Sequence, residues 1–543
     1  MTAGTVTPYR PGEQAGRDGF AQVLHAEWTK FRTVRGWVIG TVVAALVTAG
    51  IGLLAAGTTT SSCQSTSGSS GGPTRTGSAC AAAAFPVGPG GVPVDDSFYF
   101  VRQPLTGNGS ITVQVTSFTG LLPPANPNIQ SGPNGPADTR PGLVPWAKAG
   151  LIIKNGTSQG SAYAAMMVTA DHGVRMQDNY TNDTAGQPGA VSPASPRWLR
   201  LTRSGDTITG YDSADGMHWT QVGTVHLAGL SSTVQAGLFA TSPAYTVVSQ
   251  GFGGGSNGSS LPSQATAVFD HVGQSGTWPG GTWTGDYIGA GDASGIGSYH
   301  QAGDQFTVTG SGDIAPVIAG SGNEGDPDAT LTNYLVGSFA GLIAVIVVAT
   351  MFITAEYRRG LIRVTLTASP RRGRVLAAKA LVIGSVTFVA GLVAAAAAVI
   401  FGAQLTRHKG TYVFPASWAT ELRVIAGAAA LLAVAAVLAL ALGTVLRRSA
   451  AAVTLVIVVI VLPYIMGVAS VLPASALDWL LRITPAAAFA VLQAAPQYPQ
   501  VTAVYTPTSG YFPLAPWAGF AVLCAYAALA LSLAVVLLRR RDA

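Results

Sequence analysis

Six uncharged apolar stretches dominate this chain: Gly36–Gly57, Thr332–Thr354, Ala380–Leu405, Val424–Leu446, Ser449–Leu472 and Pro516–Leu538. Each exceeds the roughly 20 residues that a helix needs to cross a bilayer. In hydrocarbon every backbone N–H and C=O must be satisfied within the protein, so runs of this kind fold as helices. A weaker run, Thr484–Ala495, is bounded by Pro485 and Pro496 and reads as re-entrant or interfacial. The first run follows a 35-residue polar tail and is too long for a signal-peptide core, so it reads as an uncleaved anchor. Charged residues make up only 10% of the chain and the mean hydropathy is +0.38. Soluble domains average about 25% charged, so a plain cytosolic enzyme and a disordered chain are both excluded. Yet 67 Gly and 32 Pro are too many for a helical bundle alone, and they call for a second, turn-rich β region.

Orientation follows from where the bases fall. Seventeen Lys and Arg lie before the first run, between the second and third, between the fourth and fifth, and after the sixth. The opposite short loops hold only Arg407, Lys409, Arg423 and Arg482. The arginine-rich side is therefore expected to be cytoplasmic, with both termini there. The segment 58–331 is then extracellular, and it carries 9 Lys and Arg against 17 Asp and Glu. The expected fold is a polytopic α-helical membrane protein of six transmembrane helices. A large all-β extracellular sandwich is inserted between helices 1 and 2.

The expected organisation is a cytoplasmic tail (1–35), a first span (36–57), a Ser/Thr/Gly linker (58–91), a β-sandwich (92–322) and the remaining spans (332–543). A cytoplasmic segment (355–379) separates the second and third spans. Cys63 and Cys80 fall in the linker; outside the cell they are a candidate disulfide, against two free thiols. Ten short alternating runs follow, among them Ser97–Val101, Ser110–Val115, Gly150–Lys154, Tyr163–Thr169, Arg197–Arg203 and Thr266–His271. Arg197–Arg203 puts Trp198, Arg200 and Thr202 on one face and Leu199 and Leu201 on the other. The strings "AGLIIKNG", "WLRLTRSGDTITGYDSADGMHWTQVG" and "ATAVFDHV" resemble bacterial laminin-G/concanavalin-like β-sandwich modules. That resemblance implies a carbohydrate or cell-envelope ligand for the outer domain. It also makes Phe306–Thr309 a partner of Ser97–Val101 in a permuted sandwich. Ser213-Ala214-Asp215-Gly216…Trp219 resembles an Asp-box turn one residue short, and reads as a structural turn clasping Trp219. A glycosidase is disfavoured, because that chemistry uses paired carboxylates and the segment's one Glu is Glu324. No metal site and no catalytic residue is assigned.

The tail "FAQVLHAEWTKFR" places Phe20, Leu24, Trp28 and Phe31 at helical spacing, with Glu27 assigned to the polar face. Such a helix suits a membrane surface. After the second run comes "TAEYRRGLIRVTLTASPRRGRVLAAK", where Glu356 is the one acid among seven bases. These two segments, the six-span layout and "WLLRITPAAAFAVLQAAPQYPQ" resemble the permease subunit of type-2 ABC transporters. The resemblance implies an interfacial helix, then a coupling segment that contacts a separate ATPase through Glu356, Tyr357, Arg358, Gly360, Thr365, Leu366 and Pro370. It implies a second permease chain, identical or related, and a bacterial plasma-membrane location. The sequence has no Gly-x-x-x-x-Gly-Lys-Ser/Thr loop, so ATP and Mg are expected on the partner and no cofactor on this chain; no nucleic-acid partner is expected. The alternative reading is a membrane-anchored carbohydrate-binding receptor or adhesin, for which one span would suffice.

Overall fold

The computed structural model describes residues 19–58, 85–124, 139–250, 256–289, 297–319, 328–361, 371–409, 411–468, 474–501, 505, 507 and 510–540. Six helices are long and apolar enough to cross a membrane: Arg35–Thr58, Leu331–Arg358, Arg372–His408, Trp418–Leu446, Ser449–Gly467 and Pro516–Arg540. They correspond one to one with the apolar runs and are called spans one to six below. Their packed faces are rich in Ala and Gly, which let helices approach closely where water exclusion provides no drive. Apolar side chains such as Leu46, Leu54, Val393 and Leu529 remain mostly exposed around the bundle, as a lipid-facing belt requires.

The weak run forms a 3-10 helix, Pro485–Leu492, with every residue buried. It follows a short amphipathic helix, Ala474–Ile483. Its free C-terminal carbonyls are capped by Arg423, which donates to Val491 O at 3.1 Å and Gln493 O at 2.7 Å. Irregular backbone at membrane depth is tolerated where protein satisfies it in this way.

The β-rich region lies in the chain between spans one and two. The expected strands form, but Ser97–Val101 and Ser110–Val115 are parts of one 25-residue strand, Phe98–Leu122. This strand runs through two packed layers and joins them into a continuous, barrel-like 14-stranded sheet. Its first half pairs with Thr233–Thr241 and Thr284–Ile288. Its second half pairs with Arg197–Ser204 and Gln264–Thr277. Between the layers, Val113, Leu199, Leu201, Phe269 and Val308 pack against Leu151, Ile153, Met166 and Leu238.

The strands Lys148–Lys154 and Tyr163–Thr169 are buried along their whole length. A third layer causes this. Val94–Asp96 pairs with Ile314–Pro316, and Val94 and Ile314 cover Phe98, Phe100, Ile152 and Met167. Two buried lysines reach into that layer. Lys154 Nζ donates to Asp96 Oδ2 at 2.6 Å and Tyr180 OH at 3.0 Å, and Lys148 Nζ donates to Asp313 Oδ1 at 2.7 Å and Ile314 O at 2.9 Å. The domain's first and last strands are thus adjacent, but not by the expected pairing. Phe306–Thr309 pairs with Thr266–Phe269, and the strands beside Phe98–Arg102 are Thr233–Thr241 and Thr284–Ile288.

Residues 85–91, expected as the end of a linker, are anchored at points though Val87, Pro89, Gly90 and Gly91 are exposed. Phe85 meets Tyr412 at 5.2 Å between ring centroids, and Val87 bridges to Pro93. The β-rich region is seated on one end of the bundle. Asp328–Ala329 pairs with Tyr412–Val413, and Gln500 donates to Tyr180 O and Thr181 O. Arg200 stacks 3.8 Å over Trp219, whose Nε1 donates to Gly216 O. Gly216 has φ +77 and lies against the Trp198 ring, where a Cβ would come within 2.8 Å. The Asp-box-like turn is a structural clasp.

Candidate functional site

At the opposite, arginine-rich end of the bundle four segments converge on a buried charge cluster. The helix Phe20–Thr33 is amphipathic as the sequence predicts, but its stripe divides. Phe31 is buried, whereas Phe20 and Trp28 are 38% and 43% exposed. Glu27, assigned to the polar face, is instead 2% exposed. It sits three residues after Leu24 and four before Phe31, within the apolar stripe.

Glu27 is buried because Lys379 of span three meets it there. Lys379 is fully buried, and its Nζ donates to Glu27 Oε2 at 2.6 Å and Glu356 Oε1 at 2.7 Å. Lys30 donates to Glu27 Oε1 at 2.9 Å and lies 3.4 Å from Glu356 Oε1. Two carboxylates and two ammonium groups make a neutral quartet. Partial burial alone would lower the Lys30 pKa, but Glu27 and Glu356 outweigh it and the net direction is upward. Below this raised pKa, Lys30 stays charged and holds both acids.

Aromatic rings close the cluster from within. Lys379 Nζ lies 4.8 Å from the Phe352 ring centroid. Phe352 meets Phe31 edge-on at 5.8 Å and Trp37 at 4.9 Å. The quartet therefore ties the surface helix to spans two and three, with span one wedged beside them. Burying ion pairs contributes little net stability, but removing one partner strands a charge at about 3–5 kcal/mol. The arrangement cross-links the surface helix to the ends of two spans.

Glu356, expected among the residues that contact the ATPase, is 5% exposed and faces these lysines. The exposed positions are its neighbours Arg358, Arg359, Gly360 and Leu361. Gly360 ends the helix at φ +66, with no atom within 4 Å of an added Cβ; the backbone angle, not space, calls for glycine. Tyr357 lies under the Arg447 guanidinium, 5.3 Å from its ring centroid. Arg447 itself adopts φ +56 at the end of span four. That left-handed conformation costs a non-glycine residue about 1–2 kcal/mol, and here it aims the guanidinium at span two. Thr365, Leu366 and Pro370 lie outside the described residues, as do Cys63 and Cys80. In the sequence Lys379 reads only as a topology base and Lys30 as a base on the polar face of the interfacial helix, near anionic lipid. An acid inside an apolar helical stripe was the available signal.

A family model described as ABC-2 family transporter protein matches residues 156–543. The chain belongs to the ABC-2 transporter family. As a member it is a multi-pass membrane protein and the permease subunit of an ABC transporter. None of the curated proteins matches this ABC-2 transporter protein. Among solved structures, a functionally unknown protein from Saccharomyces cerevisiae is 15% identical, with 34% of this chain and 77% of that one covered and a TM-score of 0.20. The GH43 BlXynB protein from Bacillus licheniformis is 16% identical over 31% and 28% of the two chains, with a TM-score of 0.19. Scytalido-glutamic peptidase with a transition state analog inhibitor is 8% identical over 41% and 100%, with a TM-score of 0.23. These likenesses assign no fold to the β-rich region.

Proposed function

We propose that this permease belongs to an ATP-driven exporter of a bacterial plasma membrane, powered by a separate ATPase seated on the arginine-rich end. The observation that carries this is the Glu27–Lys30–Glu356–Lys379 quartet. A push on the exposed Arg358–Leu361 end of span two is transmitted through Glu356 and Lys379 to span three and, through Glu27, to the surface helix. Glu356 acts as a positioning residue, while Arg358 and Gly360 are the surface the partner meets. ATP and Mg belong to that partner. Two permease chains, identical or related, would enclose the pathway.

The cargo is hydrophobic or amphipathic. A cavity of about 260 Å³ opens towards the β-rich end, lined by Phe339, Tyr464, Phe489 and Phe512 together with Thr332, Asn333 and Tyr334, and among the described residues by no charged one. An aromatic wall with a few neutral polar groups suits an amphipathic molecule better than a bare ion, which needs charge or many oxygens to replace its hydration. The β-rich region is extracellular and of laminin-G/concanavalin type, positioned over the exit to meet a glycan or cell-envelope ligand.

Sidedness tests this reading, because ATP is available only inside the cell. In a cysteine-less background, Ser204→Cys is expected to react with an impermeant maleimide on intact cells. Arg359→Cys is expected to react only after permeabilisation. Labelling of Arg359→Cys from outside would put the proposed ATPase seat on the wrong side and end the proposal.

A further inference from the structure

A second feature of the arginine-rich end lies apart from the quartet. Arg371, Arg372 and Arg374 at the start of span three and Arg539 at the end of span six converge on a cavity of about 490 Å³. Gly373, Ala377 and Phe20 of the surface helix complete its lining, and it is open to the surface. Among the described residues no acidic side chain lines it. The two spans are close here: a Cβ on Gly373 would lie 3.6 Å from Val535 Cγ1 and 3.8 Å from an Arg539 guanidinium nitrogen. Arg372 also donates to Leu538 O, which fixes the end of span six beside it.

The guanidinium groups of Arg371, Arg374 and Arg539 around this cavity carry like charge, and an anion seated among them lowers their mutual repulsion. Their depth says which anion. One turn beyond Ala377, on the same face of span three, Leu381 is 51% exposed. On span six, Val536 and Leu533, one and two turns before Arg539, are 44% and 48% exposed. The arginines thus sit where the lipid-facing apolar belt ends, with the Phe20 ring at the same boundary. A soluble anion would use the charge alone, whereas a phospholipid would use both the charge and the apolar track beneath it.

We infer that this cavity is a binding site for an anionic phospholipid of the leaflet on the arginine-rich side. The phosphodiester would be held by Arg371, Arg374 and Arg539, and the acyl chains would run along Leu381, Val536 and Leu533. Guanidinium pairs bind phosphate oxygens in a planar, bidentate fashion. The occupant would brace span three against span six, beside the Lys379 junction.

The test uses the full chain in phosphatidylcholine vesicles containing a minor fraction of spin-labelled phosphatidylglycerol or, separately, spin-labelled phosphatidylcholine. The wild type is expected to immobilise phosphatidylglycerol in preference to phosphatidylcholine. A favourable basic residue at the membrane surface contributes about 1 kcal/mol. Arg374→Gln and Arg539→Gln are therefore each expected to lower the preference about five-fold. Ala377→Phe fills the cavity with every charge intact and is expected to abolish the preference. Equal immobilisation of the two lipids by the wild type would overturn the assignment, as would an undiminished preference in Ala377→Phe. Displacement by inorganic phosphate would make it a soluble-anion site instead. A preference seen only with a bound ATPase subunit would make it a protein interface.

Discussion

Lys379→Met is expected to lower the stability of the helical bundle by about 3–5 kcal/mol, because it leaves Glu27 and Glu356 buried without their shared ammonium. Lys379 is fully buried and within 2.7 Å of both acids. Methionine has a similar length and no charge, so packing against Phe352 is largely kept and the loss reports the electrostatics. The thermal unfolding midpoint of the detergent-solubilised chain measures it. Glu356→Gln alone leaves two lysines facing one acid, a milder imbalance. In the double variant part of the loss should return, because contacting charges are coupled by about 0.5–3 kcal/mol. A Lys379→Met midpoint equal to wild type, or strict additivity with Glu356→Gln, would show that the quartet holds nothing together.

The second large effect belongs to the β-rich region. A soluble fragment Phe85–Ala319 is expected to unfold cooperatively, whereas one ending at Thr277 is expected to aggregate. The shorter fragment lacks the partner of Val94–Asp96 and uncovers Phe100, Ile152 and Met167. It also exposes the edges of Phe98–Arg102 and Ala265–Phe269, and unpaired edges recruit other chains. Lys148 loses Asp313, a stranded charge again costing about 3–5 kcal/mol. Lys148→Met in the long fragment separates these causes: it should lower the melting point without causing aggregation. Identical melting of the two fragments would contradict the three-layer architecture.

The helical half of the fold was legible because one physical requirement, a bilayer's width of apolar residues, writes itself into consecutive positions. The strands were legible where one face is buried, as in Leu199 and Leu201 against Trp198, Arg200 and Thr202. Legibility failed where both faces are covered. Lys148 and Lys154 look like solvated strand ends, and only the layer carrying Asp96 and Asp313 explains them. It failed also at Thr106-Gly107-Asn108-Gly109, which has hairpin-turn chemistry yet continues as strand. Gly109 packs there against Ser275 O and Gly276, which accommodates the bend. The coupling site was half visible. Family-like residues drew attention to the end of span two that carries Glu356, but a pairing such as Glu27 with Lys379, 352 positions apart, leaves no local trace. The misplaced polar residue on the apolar stripe was its only mark.

A permease driven by a separate ATPase should leave its own membrane with that ATPase attached. The decisive assay is of subunit content and ATP hydrolysis in tagged full-length chain purified from that membrane. A second protein bearing a phosphate-binding loop is expected to accompany the chain in fixed ratio. The complex should hydrolyse ATP, and the chain stripped of that protein should not. Purification without any ATPase, or hydrolysis by the stripped chain itself, would contradict this reading.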